Sequence, residues 1–115
     1  MSVADLVSHF TASALAQYNA DMDFNIKAIN IAVKEMMAIA AELKSRPGDQ
    51  RSALLALYDH SNTRVRLSAA RLSFALAPVR ARAVIQEIAD SKKFSTALDA
   101  GMCLSAIDQG IFKPS

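Results

Sequence analysis

Apolar residues in the first part of the chain recur at steps of three and four, which is the spacing of one face of a helix. One apolar stripe predicts a helix over residues 3–19 and consists of Val3, Leu6, Val7, Phe10, Ala14 and Tyr18. A second stripe predicts a helix over residues 22–45 and consists of Met22, Ile26, Ile29, Val33, Met36, Ala40 and Leu43. Two long helices are therefore expected to begin the fold.

Polar and turn-forming residues mark the ends of these two helices. Ser2 is the predicted N-cap of the first, with Asp5 three residues later in the position of a capping box. Asp21 or Asp23 is predicted to cap the second helix, and the tripeptide Arg46-Pro47-Gly48 is predicted to end it.

Shorter apolar stripes follow and predict four more helices, over residues 50–58, 63–76, 78–89 and 94–109. Asp49 is placed to cap the first of them and Asn62 or Thr63 the second. Pro78 suits the first turn of the third. The chain is thus predicted to form six helices joined by short turns.

Two glycines lie in or just after the last predicted helix. Gly110 stands where a left-handed C-terminal cap belongs, and Ile111 follows in the position of the apolar residue of a Schellman motif. Gly101 lies inside the helix, where glycine lowers helix stability by about 1 kcal/mol relative to alanine. We expect a neighbouring helix to approach Gly101 closely, since that would account for a glycine there.

The helix over residues 63–76 is apolar on two opposite sides. At 100° per residue, one side carries Val65, Ala69, Leu72 and Leu76, and the other carries Leu67, Ala70 and Phe74. Polar edges separate the two sides, one formed by Arg64, Ser68 and Arg71 and the other by Arg66 and Ser73. A helix of this kind packs between neighbours, so we expect it in the middle layer of a stack of helices.

The second half of the chain overlays on itself with a shift of 31 residues. The matched pairs conserve apolar, small or charged character: Arg51/Arg82, Leu54/Ile85, Leu57/Ile88, Asp59/Asp90, Leu67/Leu98, Ala69/Ala100, Ala70/Gly101, Ala75/Ala106 and Leu76/Ile107. This pattern is typical of stacked helix-turn-helix repeats, whose neighbours bury faces that no unit buries alone. The helices over residues 3–46 are expected to serve as the first layer and cap.

The segment 54–76 resembles a HEAT repeat. Its apolar run is followed by Asp59 in the turn and by the pair Val65-Arg66 at the start of the next helix. The resemblance implies a right-handed α-α superhelix in which Asp59 and Arg66 contact each other across the stack. The second unit keeps Asp90 but has Thr96-Ala97 in place of the Val-Arg pair, so such a ladder is expected to end there.

Residues 3–114 as a whole resemble a family of short, uncharacterised bacterial proteins with a HEAT-like fold. The tract 65–78 carries the likeness, together with the ending Asp99-Ala100-Gly101-Met102 and Asp108-x-Gly110-x-Phe112-Lys113-Pro114. The resemblance implies a fold and a bacterial origin but no activity. We therefore expect a single all-α domain over residues 1–115, built as a short HEAT-like stack of about six helices.

Composition supports one small domain in a reducing compartment. The chain has 115 residues, of which 52% are hydrophobic, with three glycines and three prolines, so disordered and collagen-like classes are excluded. One cysteine, Cys103, cannot form an internal disulfide. No secretory signal and no apolar run long enough to span a membrane is present in the sequence, so a cytoplasmic location and no membrane partner are expected.

The net charge of +2 is unevenly distributed. Residues 1–44 carry three lysines and five acids, for −2, and residues 83–115 carry three lysines and four acids, for −1. Residues 45–82 carry seven arginines and two aspartates, for +5, and no arginine lies elsewhere. Such an asymmetry can mark a surface that faces an anionic partner.

The residues that carry chemistry in other proteins form no catalytic or metal-binding pattern here. His9 has no histidine or carboxylate four residues later, and His60 is interpreted as a turn residue that bonds locally beside Asp59. Cys103 is interpreted as a small buried hydrophobe. No glycine-rich phosphate loop or nucleophile motif is present, so we expect no enzyme, no metal and no cofactor.

Arginine supplies the leading functional hypothesis, a non-catalytic protein-interaction module. Arg64 and Arg71 are seven residues apart and therefore share one edge of the central helix, and Arg80 follows in the next helix. Guanidinium groups bind carboxylates in a bidentate geometry. We expect these three residues to bind an acidic patch on another protein.

Three alternatives remain at this point. The arginines can instead pair within the molecule, with Asp59, Asp90 or Glu87 as partners. Weak nucleic-acid binding by the same edge is a second function, which the small net charge and the lack of interleaved aromatic residues disfavour. The apolar strip formed by Phe24, Ala28 and Ile31 indicates a possible homodimer.

Overall fold

The computed structural model describes all of residues 1–115 and contains helices and no β-strand. The five α-helices are α1 (Val3–Met22), α2 (Ile26–Ser45), α3 (Thr63–Leu72), α4 (Pro78–Asp90) and α5 (Thr96–Asp108). A 3₁₀ helix, Gln50–Asp59, stands between α2 and α3, and a single 3₁₀ turn, Phe74–Leu76, follows α3. The predicted all-α fold of six helices is confirmed.

Side-chain caps fix where most of these helices begin. The Ser2 hydroxyl accepts a hydrogen bond from the Asp5 N–H at 3.1 Å, and the Asp5 carboxylate accepts one from the Ser2 N–H, which completes the capping box. The Asn62 side chain accepts from the first N–H groups of α3, and Pro78 is the first residue of α4. These predicted starts are confirmed.

The predicted start of α2 is wrong. Helix α1 continues to Met22, so Asp21 lies inside it, and Asp23 is its C-cap. The chain then turns at Phe24, whose φ of 52° is left-handed, and Asn25 caps α2 by accepting from the Ala28 N–H at 3.1 Å. The capping residue is therefore Asn25, and the N-terminal part of the predicted α2 stripe, Met22 and Ile26, is exposed.

Helix α3 lies at the centre of the fold, as its two apolar sides predict. It packs against α1, α2, α4, α5 and the 3₁₀ helix. Val65 on one side and Leu67 on the other are both buried, and Phe74 just beyond the helix is buried too. Burial of both sides confirms that this helix is a middle layer.

Ser73 ends α3 earlier than the apolar stripe predicts. Its hydroxyl donates to the Ala69 carbonyl at 2.6 Å and lies 2.6 Å from the Tyr58 hydroxyl. Because the Ser73 hydrogen is used on Ala69, the Tyr58 O–H donates to Ser73, and burial raises the pKa of Tyr58 and favours that protonated form. Such a serine bond back to the preceding turn bends a helix, and Leu76 beyond it is partly exposed.

The 31-residue repeat is reproduced in part. Leu54 and Ile85 are both enclosed in the core, as are Ala69 and Ala100. Leu67 is only 3% exposed but its match on α5, Leu98, is 57% exposed, because α5 is the last helix and has no further layer against its outer side. Gly101 lies on that side with no atom within 4 Å of where a Cβ would stand, so the predicted close approach is wrong.

The Asp59–Arg66 contact implied by the resemblance to HEAT repeats is absent from the ion pairs of the structure. Two residues of the predicted apolar strip are exposed, Phe24 in the turn before α2 at 76% and Ile31 on α2 at 50%. None of the helices is both long and apolar enough to cross a membrane.

Candidate functional site

A groove of about 400 Å³ runs between α2, α3 and α5, with one residue of α1 and one of the C-terminal segment completing its walls. Nine of its 14 lining residues are hydrophobic. The groove is defined below by its lining residues, which are Gln17, Val33, Met36, Met37, Arg64, Leu67, Ser68, Arg71, Leu72, Asp99, Met102, Cys103, Ala106 and Phe112. Its volume and mixed lining are typical of a small ligand-binding cleft.

The polar edge predicted on the central helix lines this groove. Arg64, Ser68 and Arg71 follow one another at steps of four and three along α3, so they share one side of the helix and all face the groove. At a rise of 1.5 Å per residue, the edge is about 10 Å long. The structure therefore brings Arg64 and Arg71 into one site, at opposite ends of a short polar row.

Arg64 occupies the buried end of that row and is 4% exposed. Its Nη2 lies 2.9 Å from Oδ2 of Asp21 at the end of α1, and it also bonds Oδ2 of Asp99 at the start of α5. Arg64 is thus paired within the molecule, with Asp21 and Asp99 as partners and not Asp59, Asp90 or Glu87. The three charges, called the Arg64 ion-pair cluster, fasten α1 and α5 to α3.

Burial raises the pKa of Asp21, and the neighbouring Arg64 guanidinium opposes that rise. The carboxyl is thus less easily ionised in the folded protein than in the unfolded chain. Because the native state binds this proton more tightly, the stability contributed by Asp21 decreases as pH rises through its raised pKa. The Arg64 ion-pair cluster therefore sets the positions of α1 and α5 on α3, while its net contribution to the free energy of unfolding is small.

Arg71 occupies the open end of the row. It is exposed, it makes no ion pair, and its guanidinium lies 5.4 Å from the centre of the Phe112 ring. A guanidinium over an aromatic face is held in place by cation–π attraction and keeps its hydrogen-bond donors free. Arg71 therefore presents an available positive charge at the mouth of the groove.

The Schellman motif at the end of α5 places Phe112 under Arg71. Gly110 has a φ of 73°, its N–H bonds the Ile107 carbonyl at 3.1 Å, and the Ile111 N–H bonds the Ala106 carbonyl at 2.9 Å. The chain turns back, and the Phe112 N–H reaches the same Ala106 carbonyl at 3.1 Å. The motif is confirmed, but Ile111 is exposed and does not make the expected apolar contact.

Arg80 lies outside the groove. It is exposed near the start of α4, and its guanidinium is 5.3 Å from the Tyr58 ring. The structure thus groups Arg64 with Arg71 and separates Arg80 from both.

Folding offsets most of the charge asymmetry seen along the sequence. Besides Arg64, three arginines have carboxylate partners, in the pairs Arg46–Glu42, Arg51–Asp49 and Arg82–Asp108. The arginines without an ion pair are Arg66, Arg71 and Arg80. Of these, Arg71 alone lines the groove.

Two uncharged polar residues of the groove are buried, Ser68 of the predicted polar edge and Gln17, which was not singled out from the sequence. Gln17 is 7% exposed and Ser68 is 8% exposed. Neither side chain makes a hydrogen bond to another group of the protein. The Nε of Arg64 is likewise buried without a partner. Gln17 lies three residues after Ala14 and seven after Phe10, so its place on the buried face of α1 was the available signal.

The remaining candidate residues stand apart from the groove or act structurally within it. His60 accepts a hydrogen bond from the Asn62 N–H at 3.0 Å, in agreement with local bonding in a turn. Cys103 lines the groove, and burial raises the pKa of its thiol against the opposing effect of Arg71. No three metal-ligating side chains among the 115 residues lie close enough to hold a metal ion.

Comparison with known proteins gives a family and a structural relative. The protein RPA1889 from Rhodopseudomonas palustris CGA009, known from a crystal structure, is similar to this chain at 46% identity and a TM-score of 0.94. The match covers 100% of this chain and 95% of that one. A comparison with curated proteins finds no match. Residues 4–108 match the model of a domain of unknown function, DUF2019, and the chain therefore belongs to the DUF2019 family.

Proposed function

We propose that this protein is a non-catalytic protein-interaction module that binds an acidic partner in the groove through Arg71. The observation that carries the proposal is an exposed arginine without a carboxylate partner, held on Phe112 at the mouth of a largely apolar groove. An apolar cleft with a fixed cation fits a partner segment that combines large apolar side chains with a carboxylate.

The walls of the groove support binding of a side chain of variable shape. Met36, Met37 and Met102 contribute flexible, polarisable thioethers from two facing helices. Methionine adapts to the shape of a bound group and is frequent on protein surfaces that accept varied partners. The apolar part of the groove thus supplies affinity, and Arg71 supplies the preference for acidic sequences.

Arg64 and Arg80 have different parts in this proposal. Arg64 already binds two carboxylates, so it shapes the buried end of the groove and adds little free charge. Arg80 remains a predicted contact outside the groove, available only to a partner large enough to extend past it. Because so few arginines are left without a partner, the electrostatic attraction for nucleic acid is weak, and a protein partner is favoured.

We also propose that the helices form a short HEAT-like stack in a bacterial, cytoplasmic protein. The buried central helix α3 and the equally buried repeat pairs Leu54/Ile85 and Ala69/Ala100 support the repeat interpretation. The similar chain from Rhodopseudomonas palustris supports a bacterial origin. The single cysteine is in keeping with a reducing compartment.

Selection from a phage-displayed library of random octapeptides tests the interaction function. We expect the wild-type protein to enrich peptides in which aspartate or glutamate accompanies a large apolar residue. We expect Arg71→Glu to abolish that acidic preference, because it replaces the one free cation of the groove with an anion.

Arg66→Glu is the matched control for Arg71→Glu. It makes the same charge change on the same helix, outside the groove and without breaking an ion pair. It should therefore select the same peptides as the wild type. Failure of the wild type to enrich acidic peptides, or their equal enrichment on Arg71→Glu, would refute the proposed function.

A further inference from the structure

The buried end of the groove contains polar groups that the fold does not use. Gln17 and Ser68 are residues more than nine-tenths buried that line the groove, and their side chains have no hydrogen-bond partner in the protein. Nε of Arg64 is the one side-chain polar atom that is both fully enclosed and without a hydrogen-bond partner. The unpartnered polar atoms of Gln17 and Ser68 therefore keep some accessible surface. Their hydrogen-bonding capacity is unused within the fold and faces the groove, so both groups are available to a bound ligand.

The two groups lie beside the same ion pair. Gln17 is one helical turn before Asp21 on α1, and Ser68 is one turn after Arg64 on α3. Side chains four residues apart on a helix are neighbours, and Asp21 and Arg64 are in contact at 2.9 Å. Gln17 and Ser68 are therefore held near the inner end of the groove by elements that the Arg64 ion-pair cluster fastens together.

The chemistry of these groups selects the ligand. A glutamine amide and a serine hydroxyl each donate and accept hydrogen bonds. A carboxylate can accept from both side chains but offers no donor to the Gln17 carbonyl oxygen, and an alkyl group neither donates nor accepts. A main-chain amide of a peptide, with one N–H and one C=O, complements both the donors and the acceptors. The main chain within a helical partner is already hydrogen-bonded, so an extended segment is favoured.

We propose that the groove binds an extended peptide segment of the partner, with a main-chain amide hydrogen-bonded to Gln17 and Ser68. One apolar side chain of the segment packs between Met36 and Met102, and a carboxylate of the segment binds Arg71. This inference rests on the proposed interaction function and names the form in which the partner is recognised.

Two nearly isosteric variants test the role of the unused polar groups. Gln17→Met and Ser68→Ala remove the hydrogen-bonding groups and break no bond within the protein. We expect each to keep or raise the thermal midpoint, and to weaken binding of the most enriched acidic octapeptide by about tenfold in fluorescence anisotropy. A lowered midpoint for both variants would show that the groups serve the fold and would overturn the inference.

N-methylation of the peptide separates this inference from the function on which it rests. Methylating each main-chain N–H in turn should identify one position whose methylation weakens binding to the wild type about tenfold and leaves binding to Gln17→Met or Ser68→Ala nearly unchanged. If binding depends on Arg71 but not on Gln17, Ser68 or any main-chain N–H, the extended-peptide contact is wrong and the acidic-partner function stands. If no acidic peptide binds, both fail.

Discussion

Replacement of Arg64 with methionine should lower the free energy of unfolding by about 3 kcal/mol, because it leaves two carboxylates without their buried counter-charge. Asp21 and Asp99 both contact the Arg64 guanidinium, which is 4% exposed. Without it, the two acids face each other across the junction of three helices. Urea unfolding at neutral pH, followed by far-ultraviolet circular dichroism, measures the loss.

Asp21→Asn is the control for Arg64→Met. It retains the Arg64–Asp99 pair, and burial already raises the pKa of Asp21, so its charge contributes little net stability. We expect a loss below about 1 kcal/mol for this variant. Removing Arg64 also removes the group that holds the Asp21 pKa down, so the pKa rises further.

The pH dependence gives a second check on the ion-pair cluster. Once Asp21 is protonated, its unpaired charge disappears, and the deficit of Arg64→Met relative to wild type should shrink as pH falls through the raised pKa. Equal losses for Arg64→Met and Asp21→Asn, or a deficit that grows on acidification, would contradict a buried cluster centred on Arg64.

Leu67→Ala is expected to lower the free energy of unfolding by about 3 kcal/mol, because it removes buried apolar contacts of α3 beneath the groove. Leu67 is 3% exposed on one side of α3. Its match one repeat later, Leu98, is 57% exposed on α5. The same Leu→Ala change at Leu98 should therefore shift stability by no more than about 0.5 kcal/mol.

Comparing Leu67→Ala with Leu98→Ala tests the central position of α3, because the two variants make the same substitution at equivalent positions of the repeat. Guanidinium chloride unfolding of the two variants gives both midpoints in one experiment. Similar losses at Leu67 and Leu98 would mean either that α3 is not enclosed on this side or that a further layer covers α5 in solution, as in a homodimer. A large difference would agree with a stack that begins at α1 and ends at α5.

The helices were predictable because local signals agreed with the tertiary structure. The Ser2–Asp5 capping box, the Asn62 cap and the apolar stripes each act within a few residues. The predicted start of α2 and end of α3 are wrong because one residue at each place has a local conformation or hydrogen bond that the apolar stripe does not show. Phe24 in a left-handed conformation delays α2, and the bond from Ser73 to the Ala69 carbonyl shortens α3. Neither the Phe24 turn nor the Ser73 hydrogen bond changes the apolar periodicity from which the helix ends are predicted.

The groove was predictable only on the α3 side. The row Arg64, Ser68 and Arg71 followed from helical spacing alone. The partners of Arg64 did not, because Asp21 is 43 residues away in sequence and Asp99 is 35 residues away. Pairings at that separation depend on how the helices stack, and charge counts along the chain contain no such information.

Gln17 shows a different limit of sequence analysis. Its position on the apolar face of α1 predicts burial, but a buried glutamine is ordinarily bonded within the protein. That its amide instead faces a groove becomes apparent only when α1, α3 and α5 are placed together. The charge asymmetry misleads for the same reason at two arginines, since Arg64 and Arg82 pair with carboxylates at least 26 residues away.

Alkylation of Cys103 tests most directly whether the acidic peptide occupies the groove. Cys103 is the only cysteine of the chain and lines the groove, so its reaction with iodoacetamide reports on access to that site. With the enriched octapeptide at ten times its dissociation constant, we predict that the alkylation rate falls about tenfold by mass action. An alkylation rate unchanged by saturating peptide would contradict the account.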